Sequence, residues 1–335
     1  MFPISSLFFF SSLLMGAILS VSSTSWFGAW IGLELNLMSF IPLIVTKMNP
    51  YSSEAALKYF LIQALASTLI VLSSCLIMYM SNFTSTIILM ALLLKLGAAP
   101  FHFWFPQVME GLSWLQTIIL MTIQKLAPMI LISYLTSSFM ITQIIILSAI
   151  LSAYVGALGG LNIMKLRKIM AFSSINHMSW MLVALTINDM MWIMYFSFYA
   201  LISSSVVFFM HSLQSSSISD LLNLNHHSLF SAFTIPLSLL SLGGLPPFTG
   251  FIPKWIMIQI MLMNNMYIPL LFLLSSALIT LYFYLRMLIP YILILTPISS
   301  YNLKSFSFLS FSFFLPLITF FNMIGLFIPF LFMLF

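Results

Sequence analysis

Charge is what this chain lacks. Only 4% of its 335 residues are Asp, Glu, Lys or Arg, five acids and ten bases, where a water-exposed globule ordinarily carries about a quarter. That scarcity excludes a soluble enzyme and leaves no segment of domain size polar enough to fold in water. Cysteine is nearly missing too. Cys75 stands alone in the run LIVLSSCLIMYM, so neither a disulfide framework nor a thiolate metal cluster can be assembled from this chain by itself; any iron–sulfur or haem chemistry must belong to partners. The formal net charge of +5 forms no basic stripe, which removes the electrostatic footprint of a nucleic-acid binder. What remains is apolar: 62% of the residues are hydrophobic and the mean hydropathy is +1.17. This is the composition of a chain surrounded by membrane lipids.

A hydrocarbon core of about 30 Å needs roughly 20 helical residues. That ruler places about eleven spans, at 3–22, 25–46, 56–80, 83–104, 114–135, 138–160, 168–187, 191–212, 229–264, 267–289 and 309–333. The ninth is too long for one straight helix, and its middle, SLGGLPPFTGFIPKW, holds Gly243, Gly244, Pro246, Pro247, Gly250 and Pro253. Prolines remove donors and glycines loosen the backbone, so a break is expected near Pro246 to Gly250. The fourth span carries a milder version, KLGAAPFH, with Gly97 and Pro100. Irregular backbone at membrane depth survives only where protein or water satisfies the freed carbonyls, so both breaks should face the interior of the bundle.

The opening segment, MFPISSLFFFSSLLMGAILS, lacks a basic n-region and is followed by another span; it reads as a retained first helix. No arginine-rich presequence precedes it, so a mitochondrial version is expected to be made inside the organelle. Lys47 and Lys58 flank the second connection, Lys165, Arg167 and Lys168 fill the sixth, and Arg286 and Lys304 flank the tenth. The alternate connections carry neither lysine nor arginine. By the positive-inside rule the basic side is cytoplasm or matrix, which puts the N-terminus inside and the C-terminus outside.

Against that apolar background four charges stand out: Glu34 in WIGLELNLMSFI, Lys95 in LMALLLKLGAAPFH, Lys125 in MTIQKLAPMI and Lys254 in FTGFIPKWIMI. An ionisable group at bilayer depth costs several kcal/mol, so such groups face a bundle interior and mark ion or proton paths. A carboxylate near a lysine, or a lysine near another, biases its neighbour's protonation. Moving one charge then moves a proton. The bland alternative, structural ion pairs or snorkelling, carries most weight for Lys254, at the outer end of a helix expected to break.

The strings WIGLELNLMSFIPL, EAALKYFLIQALAS, LLLKLGAAPFHFWFPQVMEGL, QKLAPMILISYL, GALGGLNIMKLRKIMAFSSINHMSWM and SLGGLPPFTGFIPKW resemble the antiporter-like membrane subunits of mitochondrial NADH:ubiquinone oxidoreductase, respiratory complex I, in the second-subunit branch. The resemblance runs over about 23–290 of a single membrane domain, 1–335, and is compositional only in the first helix and in the tail, 291–335. It implies an all-α polytopic fold with inverted repeats and two discontinuous helices. It implies that Glu34, Lys95, Lys125 and Lys254 form a buried proton-relay axis, driven by electron transfer elsewhere in the complex. It also implies that FMN, iron–sulfur clusters, NADH and ubiquinone sit in other subunits, that the partners are further membrane-arm and supernumerary subunits, and that the setting is the mitochondrial inner membrane, N-terminus to the matrix and C-terminus to the intermembrane space.

Second-tier candidates are His102 in GAAPFHFW, His177 in SSINHMSW, and Lys58 in the family string KYF. A histidine titrating near neutrality can pass protons, and an ordinary hydrogen-bonded interior histidine is as good a reading of either. Glu54 and Lys58, four apart after Ser52 and Ser53, are also explained by capping and a helix-surface pair, and Glu110 by orienting the fourth-to-fifth connection. His211, His226 and His227 read as surface residues; the adjacent pair does not converge on a metal. A free-standing cation/proton antiporter would share the breaks and buried charges but should add a polar substrate cluster near the midplane. A purely structural scaffold would need neither.

Overall fold

The computed structural model describes residues 4–45, 49–76, 81–222, 229–246 and 248–295. Their regular structure is helical, apart from one isolated antiparallel bridge between Lys165 and Ser217. The helices are α1 (Ile4–Ser22), α2 (Trp26–Ile44), α3 (Pro50–Leu76), α4 (Ser81–Leu96), α5 (Trp104–Gly111), α6 (Trp114–Met121), α7 (Ile123–Ser133), α8 (Phe139–Gly159), α9 (Leu166–Ile187), α10 (Asp189–Leu213), α11 (Ile218–Leu222), α12 (Leu229–Gly243), α13 (Phe251–Met263) and α14 (Tyr267–Leu295). Among the described residues eight spans are long and apolar enough to cross a membrane, with Trp114–Ser133 counted as one, and Phe83–Leu96 and Phe251–Met263 are shorter apolar helices. Within the expected span 83–104 the helix ends at Leu96, and the expected span 229–264 is divided into two shorter helices. The expected span 309–333 lies outside the described residues, as do Lys47, His226, His227 and Lys304.

By its internal contacts the chain divides into two compact units, residues 1–152 with 185–189 and residues 153–184 with 190–335. In the first, α1 lies flat against α2 because Gly16 brings no side chain. A Cβ there would sit 2.8 Å from the Asn36 nitrogen and 2.9 Å from the Gly32 oxygen. Small residues at such crossings let backbones approach where no hydrophobic drive between helices exists. Helix α4 runs inside this unit: Ile88, Leu89, Ala91, Leu92 and Leu93 are all buried. Helix α3 starts earlier than the hydropathy ruler expects because Pro50, with φ preset, opens its first turn.

Both expected breaks are present. Helix α4 stops at Leu96, and Gly97 follows at φ +71°. The Ala98 amide donates to Leu93 O at 3.2 Å and the Gly97 amide to Leu94 O at 3.2 Å, the two reverse bonds of a Schellman motif, in which a left-handed residue ends the helix. Pro100, with no N–H, cannot resume it. In the second unit α12 ends the same way: Gly244 stands at φ +76°, Leu245 donates to Leu240 O at 3.4 Å and Gly244 to Ser241 O at 3.1 Å. The residues before and after this break, Ser238, Leu239, Ser241, Leu242, Phe248, Thr249 and Ile252, are buried, as irregular backbone in a lipid-facing protein requires.

The sequence reading did not anticipate a third interruption, at Thr122 between α6 and α7. Pro128 crowds the carbonyl one turn before it, and the Thr122 hydroxyl bonds back to Ile118 O at 2.7 Å, a contact that bends helices.

The two units also repeat each other residue by residue. Gly156 stands to Phe172 and Asn176 as Gly16 does to Gly32 and Asn36: a Cβ on Gly156 would lie 2.6 Å from the Asn176 nitrogen and 2.8 Å from the Phe172 oxygen. The hydroxyls of Ser39 and Ser179 bond Asn36 O and Asn176 O respectively, and NLMSF in α2 answers NHMSW in α9.

Candidate functional site

In the first unit the breaks place two lysines at helix ends. Lys95 occupies the last turn of α4 and Lys125 the first turn of α7, at 7% and 2% exposure. Both line one cavity of ≈ 20 Å³ with Asn36, Tyr59, Gln63, Trp104, Phe105 and Gln124. The α4 carbonyls released by the break are taken by side chains: the Trp104 indole donates to Leu94 O at 3.0 Å and Gln63 Nε2 to Lys95 O at 3.3 Å. A helix C-terminus presents partial negative charge, which favours an ammonium there. The Lys125 ammonium lies 5.2 Å from the centre of the Phe105 ring, within cation–π range.

Glu34 sits mid-helix in α2, half-buried, with its Oε2 enclosed and without a hydrogen-bond partner. The acid and two lysines singled out from sequence are therefore gathered in one unit with polar neighbours that sequence reasoning passed over: Asn36, Gln63 and Gln124. Amides inside apolar runs were the signal. They carry no charge and drew less attention than the lysines beside them.

The second unit holds Lys254, in the first turn of α13. It does not snorkel: at 7% exposure its Nζ donates to Gly243 O at 2.9 Å. That carbonyl is free because residue 247, which would supply its helical N–H, is proline. A second cavity, of ≈ 10 Å³, is lined by His177, Tyr195, Tyr199, Ser241, Leu242, Gly250 and Pro253. It is the counterpart of the first: His177, Tyr199 and Leu242 occupy the repeat positions of Leu37, Tyr59 and Lys95. His177 Nδ1 meets Tyr195 OH at 3.0 Å.

The remaining candidates stand apart. Lys58 pairs with Glu54 at 2.6 Å with side-chain exposures of 41% and 61%, the surface pair their spacing predicted. His102 lies between the α4 break and α5, half-buried against Phe103. Outside the spans, Asp220 Oδ2 accepts from the Ser216 hydroxyl at 2.7 Å and from the amides of Ser216 and Ser217 at 3.0 and 2.9 Å. These bonds, the hydroxyl's first, hold its carboxyl down at about 2.

Interrupted helices carrying buried lysines suit the holding and passing of protons. The sequence profile of the NADH:quinone oxidoreductase/Mrp antiporter transmembrane family matches residues 23–86 and 78–280. The NADH-ubiquinone oxidoreductase chain 2 of Anopheles gambiae is 48% identical over 293 residues, 85% of each chain. That of Hylobates lar is 42% identical over 315 residues, 90% of this chain and 89% of the relative. Among solved structures, a chain of respiratory complex I from Thermus thermophilus with bound aureothin shares the fold at a TM-score of 0.76 and 23% identity, covering 86% of this chain and 71% of that one. The chain belongs to the NADH:quinone oxidoreductase/Mrp antiporter transmembrane family.

Proposed function

We propose that this chain is a proton-translocating membrane subunit of mitochondrial NADH:ubiquinone oxidoreductase in which Glu34, Lys95, Lys125 and Lys254 carry the proton. The observation that supports this most directly is the burial of all three lysines beside helix interruptions. There, protein dipoles stand in for water around the ammonium, and an ionisable group inside the bilayer marks a pathway. Glu34 shares the first unit with Lys95 and Lys125, which line one cavity, so a change of charge at one group changes how tightly the next holds its proton. Lys254, held by Gly243 O, continues the path in the second unit, with His177, His102 and Lys58 as auxiliary carriers.

Redox chemistry belongs to the partners. FMN, iron–sulfur clusters, NADH and ubiquinone reside in other subunits, and this chain joins the membrane-arm and supernumerary subunits among the lipids of the inner membrane. The whole chain works as one integral membrane domain, N-terminus in the matrix and C-terminus in the intermembrane space, following the basic connections at Lys58, Lys165, Arg167, Lys168 and Arg286. Lys95→Met in the assembled complex tests this reading. Proton pumping and coupled NADH:quinone turnover should fall sharply while NADH oxidation by hydrophilic artificial acceptors stays near wild type, because the electron-accepting end is untouched. Normal pumping with full quinone turnover would overturn it.

A further inference from the structure

Apart from Lys254, the basic residues described in the second unit are Lys165, Arg167, Lys168 and Arg286, and the unit's sequence holds one acid, Asp220. The fold draws all five to one end. The connection before α9 and the connection after α10 meet at the bridge between Lys165 and Ser217, where the Leu166 amide donates to Ser216 O and the Ile218 amide to Met164 O, both at 3.1 Å. From α14, Arg286 Nη1 donates to Leu161 O and its Nη2 reaches Met164 Sδ at 3.7 Å. One carboxylate does not balance four cations, and Asp220 Oδ2 already accepts from Ser216 and Ser217. Lys165 is exposed; Arg167, Lys168 and Arg286 are half-buried.

Two features of this end ask for an anion. Arg167 and Lys168 stand in the first turn of α9, which holds no acid there. That is the positive end of the helix dipole, where cations are disfavoured and anions bind. Arg286 has five N–H donors, of which two are directed at the connection. The stripe along α14 tells what kind of anion fits. Leu274, Leu278 and Tyr282 are exposed, and together with Arg286 they follow at four-residue steps on a single helix face. Apolar residues, then a tyrosine, then a cation is the order a helix meets in passing from acyl chains to headgroups. Leu158 and Met164, on either side of Leu161, are each 56% exposed.

We propose that Lys165, Arg167, Lys168 and Arg286 bind the phosphate of an anionic membrane phospholipid, with an acyl chain lying along the α14 face of Leu274, Leu278 and Tyr282. A zwitterionic headgroup brings its own ammonium and gains less from four cations. A soluble anion gains nothing from the stripe. Basic pockets at the matrix or cytoplasmic end of membrane helices hold anionic headgroups in this way, each cation contributing about fivefold in affinity. Proton carriage plays no part in the binding, so the site stands or falls apart from the relay.

The assembled complex in mild detergent, incubated with a phosphatidylglycerol that carries a photoactivatable group in one acyl chain and digested after illumination, tests this. Crosslinks should map to residues 158–168 and 274–289. Unlabelled phosphatidylglycerol should compete for them; phosphatidylcholine and inorganic phosphate should not. Lys165→Gln combined with Lys168→Gln should weaken labelling there about 25-fold, fivefold for each cation, while labelling elsewhere on the complex holds. Arg286→Gln should weaken it further than either lysine change alone, since it also releases the connection; if that variant fails to assemble, the paired lysine variant decides. Equal labelling by a phosphatidylcholine analogue, or full labelling of the paired variant, overturns the proposal. So does competition by inorganic phosphate, which would make the ligand a soluble anion. So does the lack of any crosslink at these residues in the unaltered complex, which would mean that a protein partner covers them.

Discussion

Replacing Gly244 with alanine strikes the backbone and a lysine together. Gly244 stands at φ +76°, where an L side chain costs about 1–2 kcal/mol. The new Cβ would also lie 2.9 Å from both Cδ and Nζ of Lys254, well inside the roughly 3.5–4.0 Å at which such atoms rest. The ammonium must leave Gly243 O, now 2.9 Å away, and a hydrogen bond to a charged group contributes about 1.5–3 kcal/mol. Together the two effects come to about 2.5–5 kcal/mol. Gly97→Ala is the control: its φ of +71° carries the same backbone penalty, but the nearest atom to the added Cβ is Phe105 Cβ at 3.1 Å, not a lysine. Both variants should assemble in reduced amount on native gels. Normalised to assembled complex, proton uptake per NADH, followed with a pH-sensitive dye, should fall more for Gly244→Ala. Equal losses in the two variants, or wild-type pumping by assembled Gly244→Ala, would sink the claim that Lys254 must stay on the end of α12.

Two further outcomes follow from the packing and the loops. Gly16→Leu should cut the yield of assembled complex severely and Gly156→Leu likewise, since a side chain at either site meets backbone at under 3 Å and overpacking costs about 1–3 kcal/mol or more; near-normal yields on quantitative immunoblots would contradict the close approach of the helices. The Asp220 cap, with its folded carboxyl at about 2, contributes fully above the ordinary carboxylate value near 4 and is lost as pH falls from there toward 2. Protection of the Ser216 and Ser217 amides, relative to the free-peptide exchange rate at each pH, should fall across that window, and in Asp220→Asn that fall should vanish.

The two helix breaks were legible in the sequence because their cause is covalent: proline has no N–H, and glycine alone reaches positive φ without strain. The buried lysines were legible because a charge in an apolar run is conspicuous. The Thr122 interruption was not. Its origins, the ring of Pro128 and a threonine hydroxyl bonded one turn back, are common inside membrane helices and mostly leave them continuous. The hydropathy ruler ran α4 on to residue 104 and joined α12 to α13 because it averages over the few residues where the chain turns. The internal repeat was hidden for a related reason. Identity is kept at scattered positions such as Gly16 with Gly156, Asn36 with Asn176 and Tyr59 with Tyr199, and most residues between them differ while staying apolar.

The placement of the lysines also accounts for why the helices break where they do. In an unbroken helix every inner carbonyl is spent on its own N–H, and an ammonium in lipid finds nothing to bind. Interrupting the helix frees carbonyls at mid-membrane, and a lysine at the new end takes one, as Lys254 does with Gly243 O. A charged donor makes a bond roughly twice as strong as a neutral one, so losing the proton weakens the hold on the helix end without removing it. At the α4 break the released carbonyls are taken instead by neutral donors, the Trp104 indole and the Gln63 amide. At the α12 break the protonation of Lys254 and the geometry of the helix end are therefore linked through one hydrogen bond.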